Sequence, residues 1–190
     1  SIIIPAGFAS GDALSFTESG QFPGGATYVM ATSGSTLYTG TGPLLEIWEV
    51  SSSSVVPPNY MYWDGTGEIR PQKVGEIPYG NDQISGLMTS GNFLYVGTVK
   101  GLQVYDISNR THPQLAGTYY KELIGTMIYR DGLLYASTDF KEVSGTETHK
   151  LVILDVHDPK NIVELGSFTN PIGKGHIERF TISGNYAYLP

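Results

Sequence analysis

Short apolar runs separated by small polar and turn-forming residues recur along this chain. Between residues 84 and 119 they occupy 84–90, 93–98, 102–107 and 114–119, each rich in Val, Ile, Leu, Tyr and Thr. Runs of four to seven residues bounded by Gly, Pro, Asn, Asp or Ser predict strands, because a helix needs a longer periodic segment. The same succession is written at 27–32, 36–39, 45–50 and 72–77, and again at 124–129, 133–138, 151–156 and 162–168. The chain is therefore expected to be all-β and built from a repeated unit.

The third run of each unit shows how the strands pack. In the second copy Leu102, Val104 and Asp106 alternate with Gln103, Tyr105 and Ile107, and Leu151 to Leu154 is apolar on both faces. A strand apolar on both faces is covered by a layer on each side. The turns carry their own signal. Ser33-Gly34, Ser90-Gly91, Asp131-Gly132 and Ser183-Gly184 join the first two strands of successive copies. Glycine there supplies the positive φ of a tight hairpin. A tyrosine recurs in the second strand at Tyr38, Tyr95, Tyr135 and Tyr188, spaced by 57, 40 and 53 residues. The 40-residue copy is the bare unit; insertions at 51–70 and 139–150 lengthen its neighbours.

Four antiparallel strands in about 40 residues, each sheet packed between two others, predict β-propeller blades. The expected blades span about 25–79, 80–119 and 120–170, with a fourth begun at 171–190, giving about 3.5 blades of a larger ring. The remainder of the ring would come from the same longer chain or from a second chain. Residues 1–24 are a Gly-rich lead-in, in which Ile2 to Ile4 could form an outer closing strand.

Leu151-Val152-Ile153-Leu154-Asp155-Val156 resembles the signature of the LVIVD-repeat family, and Leu102-Gln103-Val104-Tyr105-Asp106-Ile107 is a second match. Leu45-Glu46-Ile47-Trp48-Glu49-Val50 is a degenerate third, with Glu49 in place of the aspartate. Gly91-Asn92-Phe93-Leu94-Tyr95-Val96 and Gly184-Asn185-Tyr186-Ala187-Tyr188 resemble the strand before it. The resemblance covers roughly residue 27 onward. It implies a propeller in bacterial or archaeal proteins, frequently exported or surface-linked, and carries over no catalytic residue set.

Composition narrows the partners. The formal charge is −7 over 190 residues, and only 15% of residues are charged. That argues against nucleic acid, whose phosphates require clustered Lys and Arg. The absence of cysteine excludes disulfides and thiolate-ligated metals. No segment approaches the roughly 18 apolar residues of a membrane-spanning helix.

Catalytic signatures such as G-x-S-x-G, a P-loop or H-E-x-x-H do not occur. His112, His149, His157 and His176 lack the local spacing of metal ligands, so no metal or cofactor is expected. Asp106 and Asp155 are read as turn-fixing carboxylates. Two groups remain as candidates. Asn81, Asp82, Lys121, Glu122, His176 and Glu178 cluster at the entry to innermost strands, and would converge at the mouth of a propeller channel. Tyr60, Tyr62 and Trp63 form an aromatic cluster in the first insertion, suited to a protein anchor or a sugar ring. The expected role is a non-enzymatic interaction module, secreted, periplasmic or on a cell surface, that binds a protein or glycan. Two alternatives stand beside it: a metal-dependent enzyme or polar-ligand binder at the channel mouth, and a structural component of an envelope or particle.

Overall fold

A computed structural model describes residues 29–50, 71–141, 147–170, 177 and 179–189. They form three four-stranded antiparallel sheets and the first hairpin of a fourth, in the all-β arrangement expected of propeller blades. Sheet one contains β1 (Val29–Ser33), β2 (Thr36–Thr41), β3 (Leu44–Glu49) and β4 (Gln72–Pro78). Sheet two contains β5 (Ile84–Ser90), β6 (Phe93–Thr98), β7 (Gly101–Asp106) and β8 (Gln114–Tyr119). Sheet three contains β9 (Leu123–Arg130), β10 (Leu133–Lys141), β11 (Glu147–Asp155) and β12 (Val163–Thr169). The last hairpin pairs β13 (Thr181–Ser183) with β14 (Tyr186–Tyr188). In each sheet the strands lie in chain order, each joined to the next.

The hairpin registers are the same in all four units. Ser33 faces Thr36, Ser90 faces Phe93, Arg130 faces Leu133 and Ser183 faces Tyr186. The glycine that closes each turn adopts positive φ, from +55° at Gly91 and Gly184 to +79° at Gly132. At the third turn Asp131 also sits at φ +50°, giving the two successive left-handed residues of a type I′ hairpin. The insertion at 139–150 lengthens β10 and β11 into one long hairpin.

The period-two alternation places two apolar layers between sheets. Tyr38, Leu45 and Ile47 of sheet one pack against Leu94, Val96, Tyr105 and Ile107 of sheet two. Tyr95, Leu102 and Val104, from the other face of sheet two, pack against Leu134, Ala136, Leu154 and Val156 of sheet three. The two faces of β7 therefore serve two different cores. Innermost strands are stitched together by hydroxyls: Thr89 Oγ1 donates to the Thr32 carbonyl at 2.5 Å, and Ser85 Oγ donates to that of Ile124 at 2.6 Å.

Outer strands are seated by a glycine. Gly75, Gly117 and Gly166 lie at the register shift between the third and fourth strands of their sheets. A Cβ at Gly75 would lie 3.1 Å from the Thr111 carbonyl oxygen, and one at Gly117 would lie 1.6 Å from that of Pro159. Thr111 and Pro159 belong to the turn between the last two strands of the following sheet. The turns are braced by the aspartates that end β7 and β11. Asp106 Oδ1 accepts from the Ser108 backbone N–H at 2.8 Å, and Asp155 Oδ1 from that of His157 at 3.0 Å. These bonds hold both carboxyls below the usual carboxylate range.

Candidate functional site

The connections that enter β5 and β9 meet at one end of the sheets. The Gly80-Asn81 turn, with Gly80 at φ +63°, leads into Asp82 and then β5. The β6–β7 turn supplies Lys100, and the β8–β9 connection supplies Tyr120 and Lys121. Asp82, Lys100, Tyr120 and Lys121 line a shallow concavity of about 510 Å³.

Each charge in this concavity has an opposite partner. Lys100 Nζ lies 2.6 Å from Asp82 Oδ1. Lys121 Nζ lies 3.0 Å from Glu164 Oε2 and 5.1 Å from the centre of the Tyr119 ring. Tyr119 Oη donates to the same Glu164 oxygen at 2.6 Å. The Tyr119 hydroxyl and then Lys121 hold the Glu164 carboxyl below its ordinary value, while burial raises the Tyr119 phenol. Tyr120 is 55% exposed, yet its position is set. Gln103 Nε2 donates to Tyr120 Oη at 3.0 Å, and Tyr105 Oη donates to Gln103 Oε1 at 2.7 Å. Tyr105 packs edge-on against Tyr79, and burial raises both phenols.

Of the residues singled out in the sequence, Asp82 and Lys121 come together here. Asn81 is exposed in the adjoining turn. Glu122 does not line the concavity. Its side chain is 8% exposed and its Oε2 lies 3.6 Å from Lys150 Nζ. His176 and Glu178 lie outside the described residues, as do Tyr60, Tyr62 and Trp63. Lys100 and Tyr120 were not legible as site residues. Lys100 has no counterpart in the first copy, where Gly42-Pro43 occupies the same turn, so comparison of repeats gave no signal. Among the described residues no group of three or more His, Asp or Glu is arranged to hold a metal ion, and no helix is long and apolar enough to cross a membrane.

Repeated four-stranded sheets with common register, stacked face to face, define a repeat β-propeller module. Within it, residues 84–121 match the LVIVD repeat, so the chain carries the repeat that its third strands resemble. Among solved structures, the chain is similar to the computationally designed Ika4 protein, with 12% identity, 91% of each chain covered and a TM-score of 0.56. It is similar also to the computationally designed Ika8 protein, with 11% identity and a TM-score of 0.56 over 92% of this chain and 44% of that one. The chain thus spans less than half the length of Ika8. At these identities the likeness concerns the fold alone. No curated protein matches the chain.

Proposed function

We propose that this chain is a non-enzymatic interaction module that presents the rim around Asp82, Lys100, Tyr120 and Lys121 to a protein or glycan. The observation that carries this reading is an exposed tyrosine that shares one concavity with two lysines. Tyr120 is exposed, fixed through Gln103, and set in an open concavity with paired charges on its walls. A pre-positioned aromatic ring offers apolar area at low entropic cost. Lysines and carboxylates beside it can exchange their mutual pairs for a partner's hydroxyl, carboxylate or ammonium groups. The resemblance to frequently exported propellers supports a location outside the cytoplasm or at a surface.

The test is a glycan array and a pull-down from extracellular material, each run with wild type and with the Tyr120→Ala/Lys121→Glu double variant. Binding by wild type that falls about tenfold or more in the variant is expected, since truncating a central aromatic anchor commonly costs 1–2 kcal/mol or more. Binding of equal strength by both proteins would refute the rim as the docking surface.

A further inference from the structure

The charges around Tyr120 differ in how far they reach solvent. The side chains of Lys100 and Lys121 are 66% and 58% exposed, whereas those of their partners Asp82 and Glu164 are 15% and 26% exposed. In a chain of formal charge −7, this rim turns its ammonium groups outward and keeps its carboxylates behind them. A cationic ligand would meet two like charges before it reached an opposite one, and an anionic ligand meets the lysines first. The concavity of about 510 Å³ that Asp82, Lys100 and Lys121 line with Tyr120 has the size of a small-molecule site.

The two ion pairs also differ in what a departing lysine leaves behind. Glu164 Oε2 accepts from Tyr119 Oη at 2.6 Å as well as from Lys121 Nζ at 3.0 Å. When Lys121 turns away, this carboxylate keeps a hydrogen bond from the phenol, of the strong kind that an ionised acceptor makes. Asp82 Oδ1 lies 2.6 Å from Lys100 Nζ, and among the described residues no second side chain donates to it. Lys100 therefore stays on Asp82, and Lys121 is the cation that the rim can release to a ligand. Tyr120 stays in place meanwhile, because Gln103 Nε2 donates to its hydroxyl from β7.

We infer that the rim binds a uronate, a sugar ring bearing a carboxylate, and that Lys121 selects the acid over its neutral counterpart. The inference rests on the reading of this rim as the docking surface. The apolar C–H face of the sugar lies on Tyr120, which is 55% exposed. Its carboxylate takes Lys121 from Glu164, and ring hydroxyls donate to Asp82, whose charge Lys100 balances. An acidic side chain of a peptide supplies the same charge. It lacks the rigid apolar face with adjacent hydroxyls that a fixed tyrosine beside a carboxylate acceptor matches.

The probes are trimers of galacturonate, glucuronate and mannuronate, their methyl esters, and a hexaglutamate peptide. Esterification keeps the ring and its hydroxyls and removes the charge. In titration calorimetry wild type is expected to bind at least one acid about fivefold more tightly than its ester, the scale of a partly exposed ion pair. Lys121→Gln should bring acid and ester to equal affinity. Lys121→Arg keeps the charge and should keep the preference, so a general loss of structure does not account for the result. Tyr120→Ala should weaken acid and ester alike. Equal affinity of wild type for every acid and its ester, a preference that survives in Lys121→Gln, or binding of none of the sugars overturns the inference. Tighter binding of hexaglutamate than of any uronate overturns it too, and assigns the rim to an acidic protein segment. The docking reading fails separately: sugars that bind Tyr120→Ala as they bind wild type refute the rim itself, whereas loss of the acid preference alone leaves the rim standing.

Discussion

Replacing Gly117 by alanine puts the packing of sheet two on sheet three to a direct test. The new Cβ would lie 1.6 Å from the Pro159 carbonyl oxygen and 2.5 Å from its carbon, where ordinary contact begins near 3.4 Å. The obstacle is backbone, so no side-chain rotation relieves it. The turn is also stiff within itself. The Lys160 backbone N–H donates to Asp158 Oδ1 at 3.0 Å, and that of Asn161 to the Asp158 carbonyl at 2.9 Å. The outer strands must separate, which loosens the bond from Tyr119 to Glu164. Overpacking of a rigid site costs about 1–3 kcal/mol, and a clash this deep belongs at about 3 kcal/mol. With a urea slope of roughly 2–3 kcal/mol/M, the midpoint should fall by about 1 M or more. Gly166→Ala is the internal control. It makes the same chemical change at the equivalent residue, with no atom of the described residues within 4 Å, and should stay within about 0.5 kcal/mol of wild type. Urea unfolding followed by far-ultraviolet circular dichroism measures both. Equal midpoint shifts for the two variants would refute the argument that the outer-strand glycine is a seat for the following turn.

Burial pushes the phenols of Tyr38 and Tyr95 up to about 12, partly opposed at Tyr38 by Arg110. The unfolded chain ionises near pH 10, so this contribution is present below pH 10 and lost as pH rises toward 12. Phenolate absorbance should therefore rise together with unfolding, and Tyr95→Phe should flatten the loss of stability across that window; a slope unchanged in the variant counts against it. Glu164 has the opposite sign. Its folded value is depressed below 4.5 by Tyr119 and Lys121, so its contribution is present above pH 4.5 and fades as pH falls through the folded value. Glu164→Gln should make acid unfolding shallower below pH 4.5, measured by the urea midpoint at successive pH values. Leu154, fully buried between sheets two and three, should cost about 2–5 kcal/mol when cut to alanine; a smaller loss in urea unfolding would show that this interface collapses around the cavity.

The repeat was legible because its physical causes are local. A glycine must stand where the hairpin turns to positive φ, and alternation at Leu102 to Ile107 must match two different neighbours. The aspartates at 106 and 155 were readable for the same reason, since each bonds to backbone two residues away. The rim was less legible. Asp82 and Lys121 could be placed at strand entries, but Lys100 meets Asp82 across the end of sheet two, and Tyr120 is held at the rim by Gln103 of β7. Glu122 sits one residue from Lys121 and is turned toward Lys150, a difference that strand-entry position alone does not convey.

Taken alone, the sequence determined the strands, their turns, the recurring unit and which side chains share a face, because each depends on residues close along the chain. It did not decide which faces are covered. Tyr95 and Tyr135 end the same phrase and hold the same register, yet one is enclosed and the other opens onto a concavity. Gly117 and Gly166 are likewise equivalent in the repeat, and among the described residues a carbonyl stands over the first alone. Cover is supplied by the next sheet, a contact across long separations, so only the tertiary structure could distinguish an enclosed tyrosine from one that opens onto a concavity.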